Sequence, residues 1–427
     1  RLERRINVLA YSRLMRLLVY ALVATLAPGC TSMPRDLEKV RLGYNDVVKI
    51  SSEQQLLLNI VRLRYADSPG SLAVSAIAAQ YELAKSLAIV PFFGVGGDVS
   101  PRSFVGILPG AQIGSADRPT VTLTPLDDQE FTRRLFTPLP VEGILYLAKT
   151  TWQIQMVFRL YLENLNWVSN AQSASGPTPS QPPVFADFLR GMFALQLLQD
   201  RSLIVFGQEE RSEPVGGPLP AERIDAAAIL EAAKSGYEYR PDGSGATWTL
   251  VKKTPLPIMH VHPAAVSSPE MRELERVFRL KAGLTKYEIR SESLNPFPDT
   301  YPAEGVGTLD LETRSLLQVL FFVAQGVEVP PAHRAAGIVR VTTDQDGVEF
   351  DWQRVLQGLL TVKWASGDEP PPNAYVAIPY KGYWFYVDAT DHDSKSTFSF
   401  LLGVSRMELT TRTPAAGPVL TLPVGGR

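Results

Sequence analysis

The sequence predicts an α+β fold, built from mixed helices and short antiparallel hairpins in two domains. Three stretches, 52–65, 141–167 and 308–325, repeat apolar residues at helical spacing. Two others, 237–251 and 374–387, place strand-forming runs on either side of tight-turn residues. Helical and hairpin signals mix along the whole chain, with 34 prolines as punctuation, and that mixture is the α+β pattern.

Taken in order, residues 30–50 read as a tether. Ser52 and Gln55 have capping-box spacing, and Leu56, Leu57, Ile60, Val61 and Leu63 form an apolar stripe, so a helix is expected over 52–65. Asp67-Ser68-Pro69-Gly70 ends it. Residues 71–126 turn to small, β-branched and glycine residues and predict a long hairpin. Strands are expected at Leu72–Ile77 and Thr120–Thr124, with turns at Gly94–Gly97 and Pro109-Gly110. A helical stretch begins at Phe131. Residues 141–167 then predict one amphipathic core helix through Ile144, Leu145, Ala148, Ile154, Val157, Phe158, Tyr161, Leu162 and Leu165.

The proline-rich run 171–183 is the expected linker. It separates an N-terminal helix-plus-hairpin domain, 51–170, from a C-terminal α+β domain, 184–427. Beyond it, a helix is expected over 187–200, a strand at Leu203–Phe206, a Pro/Gly loop at 211–220 and a helix over 221–234. Asp242-Gly243-Ser244-Gly245 turns a hairpin, and Ile258–His262 adds a strand. Residues 308–325 predict a helix with Leu316, Leu317, Leu320, Phe321 and Ala324 as its stripe, stopped by Gly326 and Pro330. Asp344–Gly347 is a turn. A hairpin around Tyr380-Lys381-Gly382 and a helix over 393–403 follow.

Composition sets limits on function. The net charge of -2 and the weak basic run Lys252-Lys253 argue against a nucleic-acid face. The single cysteine, Cys30, leaves no intrachain disulfide, so stability must come from the core. No cofactor is implied.

The N-terminus carries the most specific signal. Arg16 precedes an apolar run, Leu17 to Ala27, which has the length of a signal h-region and is too short to span a bilayer. Met15 directly before Arg16 fits a start there, with residues 1–14 as an upstream extension. Ala27-Pro28-Gly29-Cys30 resembles a bacterial lipobox, with Ala27 where that family prefers leucine and Pro28 as a further departure. The resemblance implies that 15–29 is a signal peptide and that Cys30 is acylated, for example with palmitate. Thr31, where an inner-membrane retention signal has aspartate, implies the outer membrane, facing the periplasm. Each buried methylene of the acyl chains contributes roughly 0.8 kcal/mol of anchoring. The competing readings are a buried helix ending in a core cysteine, and an ordinary secreted protein.

Candidate polar sites each have a structural alternative. His260 and His262 alternate along a strand, so both face one side as metal ligands must, or are simply half-exposed strand histidines. Asp388, Asp391, His392 and Asp393 gather behind an aromatic strand, Tyr383–Tyr386. They suit acid–base chemistry on a glycosidic bond, or the capping of the next helix. Gly94-Val95-Gly96-Gly97 lacks the third glycine of a dinucleotide fingerprint, and Gly403-Val404-Ser405 lacks the second glycine of a nucleophile elbow. The expectation is therefore a non-enzymatic envelope lipoprotein, an interaction or assembly module that meets the membrane through its lipid and a protein partner in the envelope. Two alternatives stay open. One is a lipid-tethered hydrolase of cell-wall glycan or peptide, using Asp388, Asp391 or His392 with His260 and His262. The other is a subunit of an oligomeric outer-membrane pore built from hairpin 71–126.

Overall fold

The computed structural model describes residues 33–70, 72–92, 106–125, 129–150, 152–291, 293–297, 300–409 and 420–423. The signal peptide, Cys30 and the turn Gly94–Gly97 lie outside the described residues. The architecture is α+β, as expected, with both mixed and antiparallel sheets. Contacts divide the chain into two compact units: one of residues 1–53, 71–126 and 415–427, the other of 54–70 and 127–414.

The first unit holds a sheet ordered β1-β2-β14, made of Leu72–Phe92 (β1), Gly106–Pro125 (β2) and Leu420–Pro423 (β14). β1 and β2 pair antiparallel from Leu72↔Pro125 to Phe92↔Gly106, with one irregularity between Val74 and Ala76. The expected turn at Pro109-Gly110 does not form: these residues pair with Ile89 and Ala88 in mid-strand. The hairpin is therefore not short.

Helix α1, Met33–Arg64, begins well before Ser52. The expected tether is helical over its described part. Ser52 caps nothing: its hydroxyl donates to Val48 O at 2.8 Å, a back-bond inside the helix.

The second unit holds α2 (Gln129–Phe136), where Phe131 begins the expected helical stretch, and it departs from three other expectations. First, 141–167 is not one helix. It divides into α3 (Val141–Ala148), α4 (Ile154–Tyr161) and strand β3 (Leu162–Leu165). The break is held by α5 (Ala186–Asp200). There, Gln199 Oε1 accepts from Ile154 N at 3.0 Å, and Gln196 Oε1 accepts from Gln155 N at 3.2 Å. Gln199 Nε2 also donates to Ala148 O, the last residue of α3, at 3.3 Å. Free helix-end groups are thus satisfied by side chains from another element.

Second, 308–325 is strand β10 (Thr308–Thr313) followed by α8 (Leu316–Ala324). Ser315 and Gln318 make a full capping box at the start of α8. Third, 171–183 is not a linker. It runs within the second unit, with Ala171, Ala174 and Thr178 buried.

The large sheet of this unit runs β4-β3-β10-β9-β8-β5: Val168–Ser169 (β4), Lys286–Arg290 (β9), Thr247–Val261 (β8) and Ile204–Pro214 (β5) join β3 and β10. β10 and β9 are parallel and the other pairs antiparallel. Leu219–Pro220 (β6) and Tyr237–Pro241 (β7) also pair with β8. The region 258–262 is the end of β8 rather than a separate strand, and β5 extends into the expected 211–220 loop. Ala226–Lys234 forms α6, capped by Asp225, which accepts from Ala228 N at 2.7 Å. α5 packs on α7 (Pro269–Phe278) so closely that a Cβ on Gly191 would sit 2.3 Å from the Phe278 ring.

A third sheet, β11-β13-β12, joins Lys363–Ala365 (β11), Tyr383–Asp388 (β13) and Ala374–Tyr380 (β12). Lys381 (φ 46) and Gly382 (φ 84) make its hairpin turn. Short helices Pro331–Ala335 (α9) and Gln353–Leu356 (α10) precede it, and His392–Leu409 (α11) follows. One apolar cluster, including Tyr161, Phe188, Phe278, Phe322 and Phe385, forms the core of this unit.

Candidate functional site

The acidic and histidine candidates do not converge. Asp388 ends β13 in the third sheet. Its Oδ1 accepts from the Thr390 amide at 2.9 Å and hydroxyl at 2.8 Å, and its Oδ2 accepts from Lys363 Nζ and Asn373 Nδ2, each at 3.0 Å. The Thr390 bonds first, then Lys363, hold its carboxyl well below the usual carboxylate range. Asp391 caps α11, accepting from Ser394 N at 3.0 Å and Ser394 Oγ at 2.6 Å. His392 and Asp393 are exposed on the first turn of that helix. His260 lies on the second sheet, 3.8 Å from Glu209, and His262 Nδ1 accepts from Ala264 N at 3.2 Å. Among the described residues no group of three or more His, Cys, Asp or Glu could hold a metal ion. No described helix is long and apolar enough to cross a membrane.

Two other features stand out. One is the hairpin of the first unit. β1 is the edge of its sheet, so its outer backbone groups pair with no described residue along Leu72–Phe92. β2 meets β14 only over Thr120–Leu123, which leaves one edge of Gly106–Pro119 open among the described residues. Open edges of this length are templates for pairing with another chain.

The other is a groove in the second unit, of about 1100 Å³, lined by Trp167, Gln172, Arg279, Arg340 and the run 177–184. Seven described non-glycine residues have positive φ, and four of them gather here: Asn166 (φ 48), Trp167 (φ 61), Ala171 (φ 49) and Arg279 (φ 53). Such residues cost about 1–3 kcal/mol each and persist only where their surroundings hold them. Buried Asn166 does the holding. Its Nδ2 donates to Phe278 O at 2.8 Å and Thr308 O at 3.1 Å, and its Oδ1 accepts from Asp310 N at 2.7 Å. One amide therefore fixes both the Asn166-Trp167 turn and the residue before Arg279.

Comparisons with protein-family models, curated proteins and solved structures find no match to this chain.

Buried arginines support the wall of the groove. Arg64 Nη1 donates to Thr178 Oγ1 at 3.0 Å and to Arg340 O at 2.9 Å. Arg314, fully buried, donates from Nη2 to Asn170 O at 2.5 Å, from Nε to Ser175 Oγ at 2.9 Å, and from Nη1 to the Arg159 and Leu160 carbonyls. Its guanidinium stacks 4.0 Å from the centre of the Phe322 ring. Burial lowers Arg64 to about 10 and Arg314 to about 9, and both stay charged at neutral pH. Asn166, Trp167, Arg279 and Arg314 carry no motif. The pairing of β3 with β10, the bridge of Leu280 to Val306 and the Asn166 bond to Phe278 O bring them together, so pattern reading along the chain misses them.

Proposed function

We propose that this chain is a non-enzymatic envelope lipoprotein, anchored through Cys30 and acting as an assembly module. The open edges of the β1–β2 hairpin carry the reading. A strand of 21 residues leaves, among the described residues, a row of unpaired N–H and C=O groups along β1. A second copy satisfies them by adding its own hairpin, β1 against β2. The separate structural duties of Asp388, Asp391 and His262 support a role other than catalysis.

The full chain in detergent is expected to be oligomeric by native mass spectrometry. Replacing 72–125 with a short Gly-Ser linker is expected to leave a folded monomer. A monomeric full chain would sink the assembly reading.

A pore is the second reading, and strand length favours it. Strands of 21 and 20 residues exceed the roughly 9–11 needed to cross a bilayer. Conductance in a planar bilayer tests this. Oligomers without conductance would remove the pore and leave the assembly.

A further inference from the structure

We infer that the outer face of the third sheet binds a neutral, straight-chain glycan, a run of β-1,4-linked sugars laid along β13. The two faces of this sheet are unlike. Residues directly opposite on antiparallel strands share a face. Val376 with Val387, and Ile378 with Phe385, make the inner face, and all four are buried in the core cluster. Trp384 and Tyr386 stand on the other face. Trp384 lies between Ala365 and Pro379, and Tyr386 between Lys363 and Ala377. Both aromatic residues are partly exposed, and neither packs against the core cluster. Trp384 makes no hydrogen bond or ring contact among the described residues, and the Tyr386 hydroxyl makes no hydrogen bond there. Neither polar tip is sealed from solvent. Two aromatic rings in line, with a free N–H and a free O–H, are left over by the packing of the sheet.

Size and chemistry choose the occupant. The six residues of β13 span about 20 Å and the three strands about 10 Å. The face is therefore on the order of 200 Å², well short of the roughly 800 Å² that each partner of a stable protein interface buries. An apolar protein surface would also strand the two free donors. A sugar meets both demands, because the C–H face of a pyranose packs on a ring and its rim hydroxyls take up the donors. Alternate positions on a strand lie in a line, about 6.6 Å apart. A β-1,4-linked chain is straight enough to follow that line, whereas an α-1,4-linked chain curves away from it. The line continues at Asp388, whose Oδ2 accepts from Lys363 Nζ and Asn373 Nδ2, each at 3.0 Å. An ammonium has three donors and an amide two, so each keeps a donor for a sugar hydroxyl. Charge argues against an acidic chain: Asp388 pairs with Lys363, and Glu328 also acts on it.

Calorimetric titration of the full chain in detergent tests the inference, which does not rest on the lipid anchor. Cellotetraose and chitotetraose are the straight neutral probes, maltotetraose the curved one and tetragalacturonate the charged one. At least one straight neutral probe is expected to bind with an affinity that does not change as salt rises, and the curved and charged probes at least about tenfold less tightly. Trp384→Leu and Tyr386→Leu are each expected to weaken that binding by about tenfold or more, the loss of an aromatic anchor. Neither ring belongs to the core, so both variants are expected to unfold at the wild-type temperature. No binding of either straight neutral probe, equal binding of maltotetraose or tetragalacturonate, or unchanged binding by the two variants would each overturn the inference. So would a change of oligomeric state in Trp384→Leu by native mass spectrometry, which would assign the face to a second copy of the chain.

Discussion

The Tyr65 hydroxyl lies 2.7 Å from Nδ1 of His333, and the opposite nitrogen of that ring, Nε2, lies 3.1 Å from the carbonyl oxygen of Lys381. A carbonyl only accepts, so Nε2 donates to Lys381 O, and in the tautomer with its one proton there Nδ1 accepts from Tyr65. Three segments distant in sequence, the end of α1, helix α9 and the β12–β13 turn, meet on one imidazole. Tyr65 also packs edge-on against Tyr380 and Phe385. The Tyr65→Phe and His333→Phe variants are each expected to cost about 1–3 kcal/mol, because each strands a buried polar group. A double-mutant cycle read by urea unfolding is expected to show coupling of about 0.5–3 kcal/mol. Additive losses would show that the bond contributes nothing.

Buried Arg314 bonds four residues, Arg159, Leu160, Asn170 and Ser175. Arg314→Met removes the donors that serve the carbonyls of Arg159, Leu160 and Asn170. The expected loss is at least about 3 kcal/mol by chemical denaturation. Amide exchange should accelerate over 170–178 before it does in β8, since that segment loses its attachment.

Asp388 makes stability depend on acid. Its folded carboxyl titrates below the unfolded value of about 3.9. A depressed carboxylate stabilises the fold fully above the unfolded pKa, and the contribution disappears as pH falls through the folded one. The wild-type chain is therefore expected to lose stability from about pH 4 downward, and Asp388→Asn to show a shallower acid slope. Parallel slopes for the two proteins in acid unfolding curves would contradict this.

Gln199 bridges the break between α3 and α4. Gln199→Leu leaves Ile154 N and Ala148 O without that partner. The expected cost is about 1–2 kcal/mol in thermal or urea unfolding, the size of a lost helix cap. A neutral substitution would mean that water replaces the side chain at both ends.

Cys30→Ser tests the anchor directly. The wild-type N-terminal peptide is expected to carry diacylglycerol on Cys30 by mass spectrometry, and the variant to leave the membrane fraction. A mature N-terminus elsewhere, or one without lipid, would remove the placement in the envelope.

Much of the fold was legible in local pattern. Helix α5, the β7–β8 turn at Asp242–Gly245, the Lys381-Gly382 turn and the cap at Asp391 all follow from residues within a few positions of one another. The misreading of 308–325 had two visible signals. Thr308-Leu309-Asp310-Leu311-Glu312-Thr313 alternates as a strand does, and Ser315 with Gln318 marks the true helix start. The groove had none: Asn166 looks like any turn residue until Phe278 and Thr308 arrive beside it.

The sequence by itself determined the α+β class and the position of most turns and caps, because those depend on backbone preferences and on contacts a few residues apart. Tertiary structure decided that 141–167 would break, that 171–183 would pack rather than link, and that four arginines would gather around one groove. Long-range pairing governs these outcomes. A buried amide or guanidinium takes whichever carbonyl the fold brings within 3 Å, and no spacing along the chain encodes that partner.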